Sequence, residues 1–413
     1  LKYICKSHKE FNRDYFDKLT YNKNFEEIEL LKEEKKNLII KNDVLEFDDR
    51  IKAVTRKKEI KLNKKKMKEI ENKLKDLYIE KKNKEYKFKK EYFELFHFKL
   101  RNPCAFCIVS FEELIYYKKG QLLDLYENLY LTGENEFVKV WLKDKYINTY
   151  HTVDFIPHGM KCRKHTYNLF TGFEIERNDA VELLDISSVD IILKHINNLG
   201  GDDKECYKYQ LDYFAHIIQK PSEKPRVAVV YKSDKEGCGK NLFLESFYKN
   251  ILGKQYGMAT ANQDNIFRRF NTSSQKFIIV FDEAKGKDSF INSEKIKSRI
   301  TCDDVYMEEK GLKGKMINDF ARCFFLTNNR TPIKIGLYDR RFVIFKCIDA
   351  FANDPKYFKP LAKALQDKNV MYTFYNYLKN REIGDFDPIN DRPITEEYKN
   401  IQSVNIPTIA RFF

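Results

Sequence analysis

Residues 1–98 contain neither glycine nor proline; the first proline is Pro103 and the first glycine Gly120. Without residues that break helices or shape tight turns, this Lys- and Glu-rich stretch reads as long helices. No uncharged apolar run approaches the roughly 18 to 20 residues a bilayer span needs, and no signal peptide opens the chain. The expectation is a soluble, intracellular protein with no membrane partner, in host cytoplasm or nucleus if viral. The nine cysteines are an odd number, scattered and partly inside apolar runs (Cys323, Cys347), which fits reduced thiols better than a disulfide framework. Acids are the scarcer charge, 62 against 76 basic residues, for a formal net charge of +14. That excess suits a polyanionic partner, although a Lys/Asn/Ile/Tyr-rich composition also follows from an AT-rich genome. The chain begins at Leu1 and ends abruptly at Phe412-Phe413, and it is read as a piece of something longer.

Four segments follow from the texture of the chain. Residues 1–100 form a charged, coiled-coil-like helical segment suited to oligomerisation or DNA contact. Met67, Ile70, Leu74 and Leu77 are spaced three-four-three, Leu31, Leu38 and Leu45 repeat at seven, and a hairpin turn is expected near Asn42–Asp49. Its lysine-dense stretch from Arg56 to Lys90 is either a solvated face or a grip on phosphates. Residues 101–200, with the sole Trp141, read as an α+β region. In it Cys104-x-x-Cys107 and Cys162-x-x-His165 have zinc-ligand spacing, against buried free thiols as the other reading. Residues 201–350 carry a helix (203–220) and four apolar runs (227–231, 277–281, 323–326, 342–345) without polar alternation. Such runs fit strands buried on both faces, a parallel sheet under two layers of helices. Residues 351–413 read as a helical lid (355–382) and a loop-like, proline-bearing tail.

The first apolar run leads into Ser233-Asp-Lys-Glu-Gly-Cys-Gly239, then Lys240-Asn241 and a helical pattern from Leu242. Strand, glycine loop and helix form a plan for holding phosphates on backbone N–H groups, here those of Lys235, Glu236, Gly237, Cys238 and Gly239, with Lys240 reaching the outer phosphates. The usual pattern has glycine where Asp234 stands, and a magnesium-ligating Ser or Thr where Asn241 stands. The second run ends in Asp282-Glu283: Asp282 suits a magnesium shell, shared with Asn241, and Glu283 a base for the attacking water. The third ends Thr327-Asn328-Asn329, an amide tip that can hold that water or the terminal phosphate. Asp339-Arg340-Arg341 precedes the fourth and could offer a guanidinium to a neighbouring subunit. Between lies Lys310-Gly-Leu-Lys313-Gly-Lys315, a basic hairpin tip for a single-strand backbone. Each has a plainer reading: glycine turn, chance acids, turn asparagines, an arginine tied to Asp339, a solvated tip.

In this order the motifs resemble superfamily 3 helicases, AAA+-related ATPases, and particularly the helicase part of the primase–helicases of large DNA viruses and plasmid-like elements. The resemblance covers about residues 205–350, and more weakly Asn102-Pro103, Trp141-Leu-Lys-Asp144, Asp154-Phe-Ile-Pro157 and Tyr167–Gly172. It implies an α/β fold with an AAA+-like P-loop NTPase core, ATP and Mg2+ as cofactors, and a homo-hexameric ring translocating on single-stranded DNA during viral or mobile-element replication. A primase module or other replication proteins would be partners. By the same resemblance Asn329 would be the sensor, Arg341 the finger with Arg340 beside it, and Lys310 and Lys313 the DNA contacts. A packaging or remodelling NTPase, or a non-catalytic scaffold with a decayed loop, remain open alternatives.

Overall fold

The computed structural model describes residues 23–47, 53–110, 114–131, 135–177, 180–262, 264–267, 273–282, 293–308, 314–329, 333, 335–336 and 338–405. The described residues form two compact units, one within 1–99 and 105–149, the other within 100–104 and 150–413.

In the first unit, α1 (Lys23–Phe47) and α2 (Ala53–Phe93) are packed side by side. The protected positions are Ile28, Leu31, Lys35, Leu38, Asn42 and Leu45 on one helix and Ile60, Asn63, Met67, Ile70, Leu74 and Leu77 on the other. This three-four spacing is the stripe that two adjoining helices need to share an apolar seam. Asn63 Nδ2 donates to Asn42 Oδ1 (2.8 Å), and Lys35 pairs with Glu71 (2.7 Å). Partners that climb one helix as they descend the other make the pair antiparallel. Helix α1 runs through Phe47 and α2 begins at Ala53; the turn expected near Asn42–Asp49 falls partly on α1 and partly outside the described residues. Strands β1 (His97–Leu100), β2 (Ala105–Val109) and β3 (Leu114–Tyr117) follow, with α3 (Lys119–Leu125), the short β4 (Tyr130–Leu131) and β5 (Asn135–Glu136), α4 (Phe137–Trp141) and β6 (Thr149–Tyr150). Phe93, Ile108, Phe137 and Trp141 build the core, and the buried indole donates to Glu94 Oε1 (2.8 Å).

The second unit begins with β7 (Thr152–Asp154) and β8 (Thr166–Asn168), then α5 (Asp190–Leu199) and α6 (Lys204–Gln219). The main sheet contains β9 (Ala228–Lys232), β10 (Gly257–Thr260), β11 (Ile278–Asp282), β14 (Arg322–Thr327) and β15 (Phe342–Lys346). All its pairings are parallel, in the order β10-β11-β14-β9-β15. Between them come α7 (Lys240–Phe247), α8 (Asp264–Phe267), α9 (Ser293–Thr301) and the antiparallel hairpin β12 (Asp304–Met307)–β13 (Lys315–Asn318). Helices α10 (Pro355–Gln366), α11 (Lys368–Lys379) and α12 (Glu396–Asn405) follow.

Alternate residues of each strand enter different cores. Val229, Tyr231, Phe324 and Leu326 join a cluster with α5, α6, α7, α10 and α11; Ala228, Val230, Cys323 and Phe325 join another with Ile296 and Ile300 of α9 and Tyr398 and Ile401 of α12. Both faces being covered, the strands have no polar alternation, which is why the apolar runs marked them. The tail corrects an expectation: residues 396–405 are helical. Tyr398 and Ile401, three apart, are buried, and Thr395 Oγ1 accepts from the Tyr398 N–H (3.1 Å) as an N-terminal cap. Arg322 is fully buried and donates to the carbonyls of Lys220, Pro221, Glu223 and Phe320, fastening the start of β14 to the loop behind α6. Burial lowers its pKa to about 10, which leaves it charged. No described helix is long and apolar enough to cross a membrane.

Candidate functional site

Parallel strands in register bring their carboxyl ends to one edge of the sheet. Asp282 lies opposite Leu326, and Thr327 opposite Lys232. Because β14 lies between β9 and β11, its tip stands between the glycine loop and Asp282. Ligands of open α/β sheets bind at this edge, outside the strand ends.

The loop is held in one conformation from several directions. Gly237 and Gly239 have φ of 82° and 78°, left-handed values that side chains resist. A Cβ on Gly239 would come within 2.5 Å of Phe358 and 2.7 Å of His195; one on Gly237 would meet the Asn353 amide. Asn353 donates its backbone N–H to Gly237 O (3.2 Å) and its side chain to Glu236 O (3.3 Å). His195 Nε2 is 3.3 Å from Gly239 O, and its Nδ1 is 3.0 Å from the Tyr357 hydroxyl, which accepts from Asn198 Nδ2 (3.0 Å). A carbonyl can only accept, so Nε2 carries the proton and Tyr357 donates to Nδ1. Burial holds this imidazole neutral, its pKa pushed down to about 4.

Lys240 is buried at the first turn of α7. Its ammonium donates to Ser233 Oγ, to Thr327 O (3.1 Å) and to Asn328 Oδ1 (2.6 Å). The amide that meets the loop lysine is therefore Asn328, whereas Asn329, the expected sensor, is exposed at the strand tip. Asn241 Nδ2 donates to Asp282 Oδ2, while Asn241 Oδ1 is buried with no hydrogen-bond partner. An orphaned carbonyl oxygen beside a carboxylate is a hard-oxygen pair of the kind magnesium takes, so these residues fit the ion. Asp234, in place of the usual glycine, is exposed and pairs with Lys346 (2.9 Å), which lowers its pKa. Lys235 and Glu236 are exposed; the buried Cys238 thiol donates to Asp349 Oδ1 (3.1 Å). Ser233 and Asn328 lie in the segments read as the loop and the amide tip, with Asn329 preferred there as the sensor; no motif marks His195, Asn353 or Phe358, which lie far from the loop in sequence.

Other expected residues are placed less simply. Arg341 folds back on Asp339 (3.3 Å) and Arg340 is exposed, so the outward guanidinium belongs to Arg340. Lys315 does not project from the hairpin. Its ammonium donates to Val153 O and Thr152 Oγ1 (3.1 Å), and burial lowers its pKa, so in this structure it ties the hairpin to β7. Glu283, Lys310 and Lys313 lie outside the described residues. Cys107 is buried, its thiol pushed up to about 12, and Cys104 and Cys162 are exposed. Among the described residues no group of three or more His, Cys, Asp or Glu side chains could hold a metal ion.

Residues 231–341, from β9 to the start of β15, match a family described as of unknown function (DUF5906). A DNA primase-polymerase of Nitratiruptor phage NrS-1 is 24% identical over 162 residues, 38% of this chain and 22% of that protein. A polyamine aminopropyltransferase of Buchnera aphidicola subsp. Schizaphis graminum is also 24% identical, over 196 residues, 41% of this chain and 65% of that protein. Two unrelated activities at one level of identity mean that identity here fixes no activity. The chain thus spans less than two thirds of either relative. The solved apo structure of the NrS-1 C-terminal region superposes with a TM-score of 0.60 at 19% identity, covering 76% of this chain and 72% of that one. The two share a fold.

Proposed function

We propose that this protein is an ATP-hydrolysing motor that moves on single-stranded DNA, a helicase-like component of viral or mobile-element replication. The observation that carries the reading is the convergence of a glycine loop, Lys240, the Asn241–Asp282 pair and Asn328 at one sheet edge. A glycine loop built only as a connection has no use for a buried lysine facing a neighbouring strand's amide, or for an amide–carboxylate pair with an orphaned oxygen. Replication is supported by the NrS-1 match, a protein named for primase and polymerase activity.

In this reading the loop's N–H groups and the α7 N-terminus receive the phosphates, and Lys240 turns from Asn328 and Thr327 O to the outer ones. Asn241 and Asp282 would hold magnesium, which when bound would offset the charge that develops on the transferred phosphoryl group. Glu283, next to Asp282, takes the proton of the attacking water. Asn328, released by Lys240, is placed to orient that water or to register loss of the terminal phosphate. Arg340 or Arg341 acts on the nucleotide of the next copy in a ring, and the β12–β13 hairpin carries Lys310 and Lys313 to DNA.

The test is ATP hydrolysis by the purified chain with and without single-stranded DNA, followed by strand separation on a forked duplex. Turnover that rises with DNA and drives separation supports the reading. Turnover without separation favours a packaging or remodelling motor; DNA binding without turnover favours a scaffold with a decayed loop.

A further inference from the structure

We infer that α2 carries a second nucleic-acid contact, a lysine stripe that grips the phosphate backbone independently of the nucleotide site. The two helices of the hairpin are charged unequally: α2 has sixteen basic residues against seven acids, α1 five against seven. A hairpin made basic only for solubility has no reason to put the excess on one helix. At about 100° per residue, Lys57, Lys61, Lys64, Lys68 and Lys75 fall within a sector of about 60°. All five are exposed, and the sector faces away from the seam of Asn63 and Ile70. At about 1.5 Å rise per residue the stripe is about 27 Å long, comparable to eight phosphates along a duplex strand at about 3.4 Å each.

Acids are kept off it. None lies within the sector: Glu71 borders one edge and is engaged by Lys35 of α1 (2.7 Å), and Asp76 and Glu69 lie about 60° and about 80° beyond the other edge. None of the five lysines meets a carboxylate within ion-pair distance among the described residues. Along the stripe its other edge is Lys58, Lys65, Asn72 and Asp76; the exposed Leu62 behind that edge and Val54 and Ile79 at the two ends stand singly and form no continuous apolar flank. A helix that lies on a lipid surface needs an apolar flank beside its lysines, so nucleic acid is the polyanion that fits.

The experiment uses the full chain without nucleotide, titrated against fluorescent single-stranded and duplex oligonucleotides across a salt series. Each phosphate contact contributes about 0.7 to the slope of log affinity against log salt for single strands and about 0.9 for duplex. Lys61→Gln with Lys68→Gln should therefore lower the single-strand slope by about 1.4 and weaken binding about 25-fold at 0.1 M salt. Lys66→Gln with Lys73→Gln, the same charge change off the stripe, should leave both nearly unchanged. Lys61→Arg with Lys68→Arg should retain binding, and circular dichroism should report equal helicity throughout. Equal losses in both glutamine pairs, no loss in the stripe pair, or binding of the wild type to anionic vesicles but not to oligonucleotides overturns the inference.

Discussion

Replacing Gly239 by alanine tests whether the loop's conformation is as determined as its surroundings imply. At φ of 78° an alanine is strained by about 1 to 2 kcal/mol. The new Cβ would also sit 2.5 Å from Phe358 and 2.7 Å from His195, against an ordinary carbon contact of about 3.5 to 4 Å. Both obstacles are rings packed against the core, so the loop must move about 1 Å, which breaks the His195–Gly239 bond, itself worth about 1 kcal/mol. Together these cost about 2 to 4 kcal/mol, so that the original loop becomes a minor conformer and ATP affinity falls about 30- to 800-fold. Gly237→Ala makes the contrast. Its φ is similar, but the Cβ meets the exposed Asn353 side chain, which can swing aside by giving up its long bond to Glu236 O (3.3 Å), so its loss should stay near the strain plus one weak hydrogen bond. Affinities of magnesium-ATP for the two variants, measured by calorimetry beside thermal midpoints, decide the matter. Wild-type affinity in Gly239→Ala, or equal damage in Gly237→Ala, would refute the reasoning.

Asn241→Ala removes the orphaned oxygen, so ATP binding should weaken about tenfold in magnesium and change little in EDTA, as the two titrations would report. His195 has its pKa depressed from 6.5 to about 4, so its stabilising contribution is complete above pH 6.5 and is lost as pH falls to about 4. The stability gap between wild type and His195→Gln, read from urea unfolding, should therefore shrink by about 3 kcal/mol across that window. A constant gap would show that the imidazole is not held neutral. Arg340→Ala should lower turnover at least a hundredfold with ATP binding unchanged, and mixing it with Glu283→Gln protein should restore activity if arginines act between copies.

The four central strands were legible because burial on both faces removes polar residues from them: the runs at 227–231, 277–281, 323–326 and 342–345 each fall within a residue of β9, β11, β14 and β15. Their order was not, since parallel neighbours are chosen by crossovers that leave no local pattern. Strand β10, Gly-Met-Ala-Thr, was missed because its outer edge is partly exposed and no apolar run forms. The choice between Asn328 and Asn329 turned on one residue of strand-end geometry, which neighbouring identical side chains cannot reveal. Nor could spacing reveal that Lys315 would find the β7 carbonyl of Val153, or that His195 and Asn353 would clasp a loop some 40 and 115 residues away. These are long-range contacts between polar groups, whereas sequence patterns report mainly what is apolar and near.

The most direct test is titration of magnesium-ATP into the wild-type chain and into Lys240→Ala. The account predicts saturable binding to the wild type and, with the buried ammonium gone, affinity at least a hundredfold weaker, about 2.7 kcal/mol or more. Equal binding by both proteins, or none by the wild type, would contradict the claim that this sheet edge is a nucleotide site.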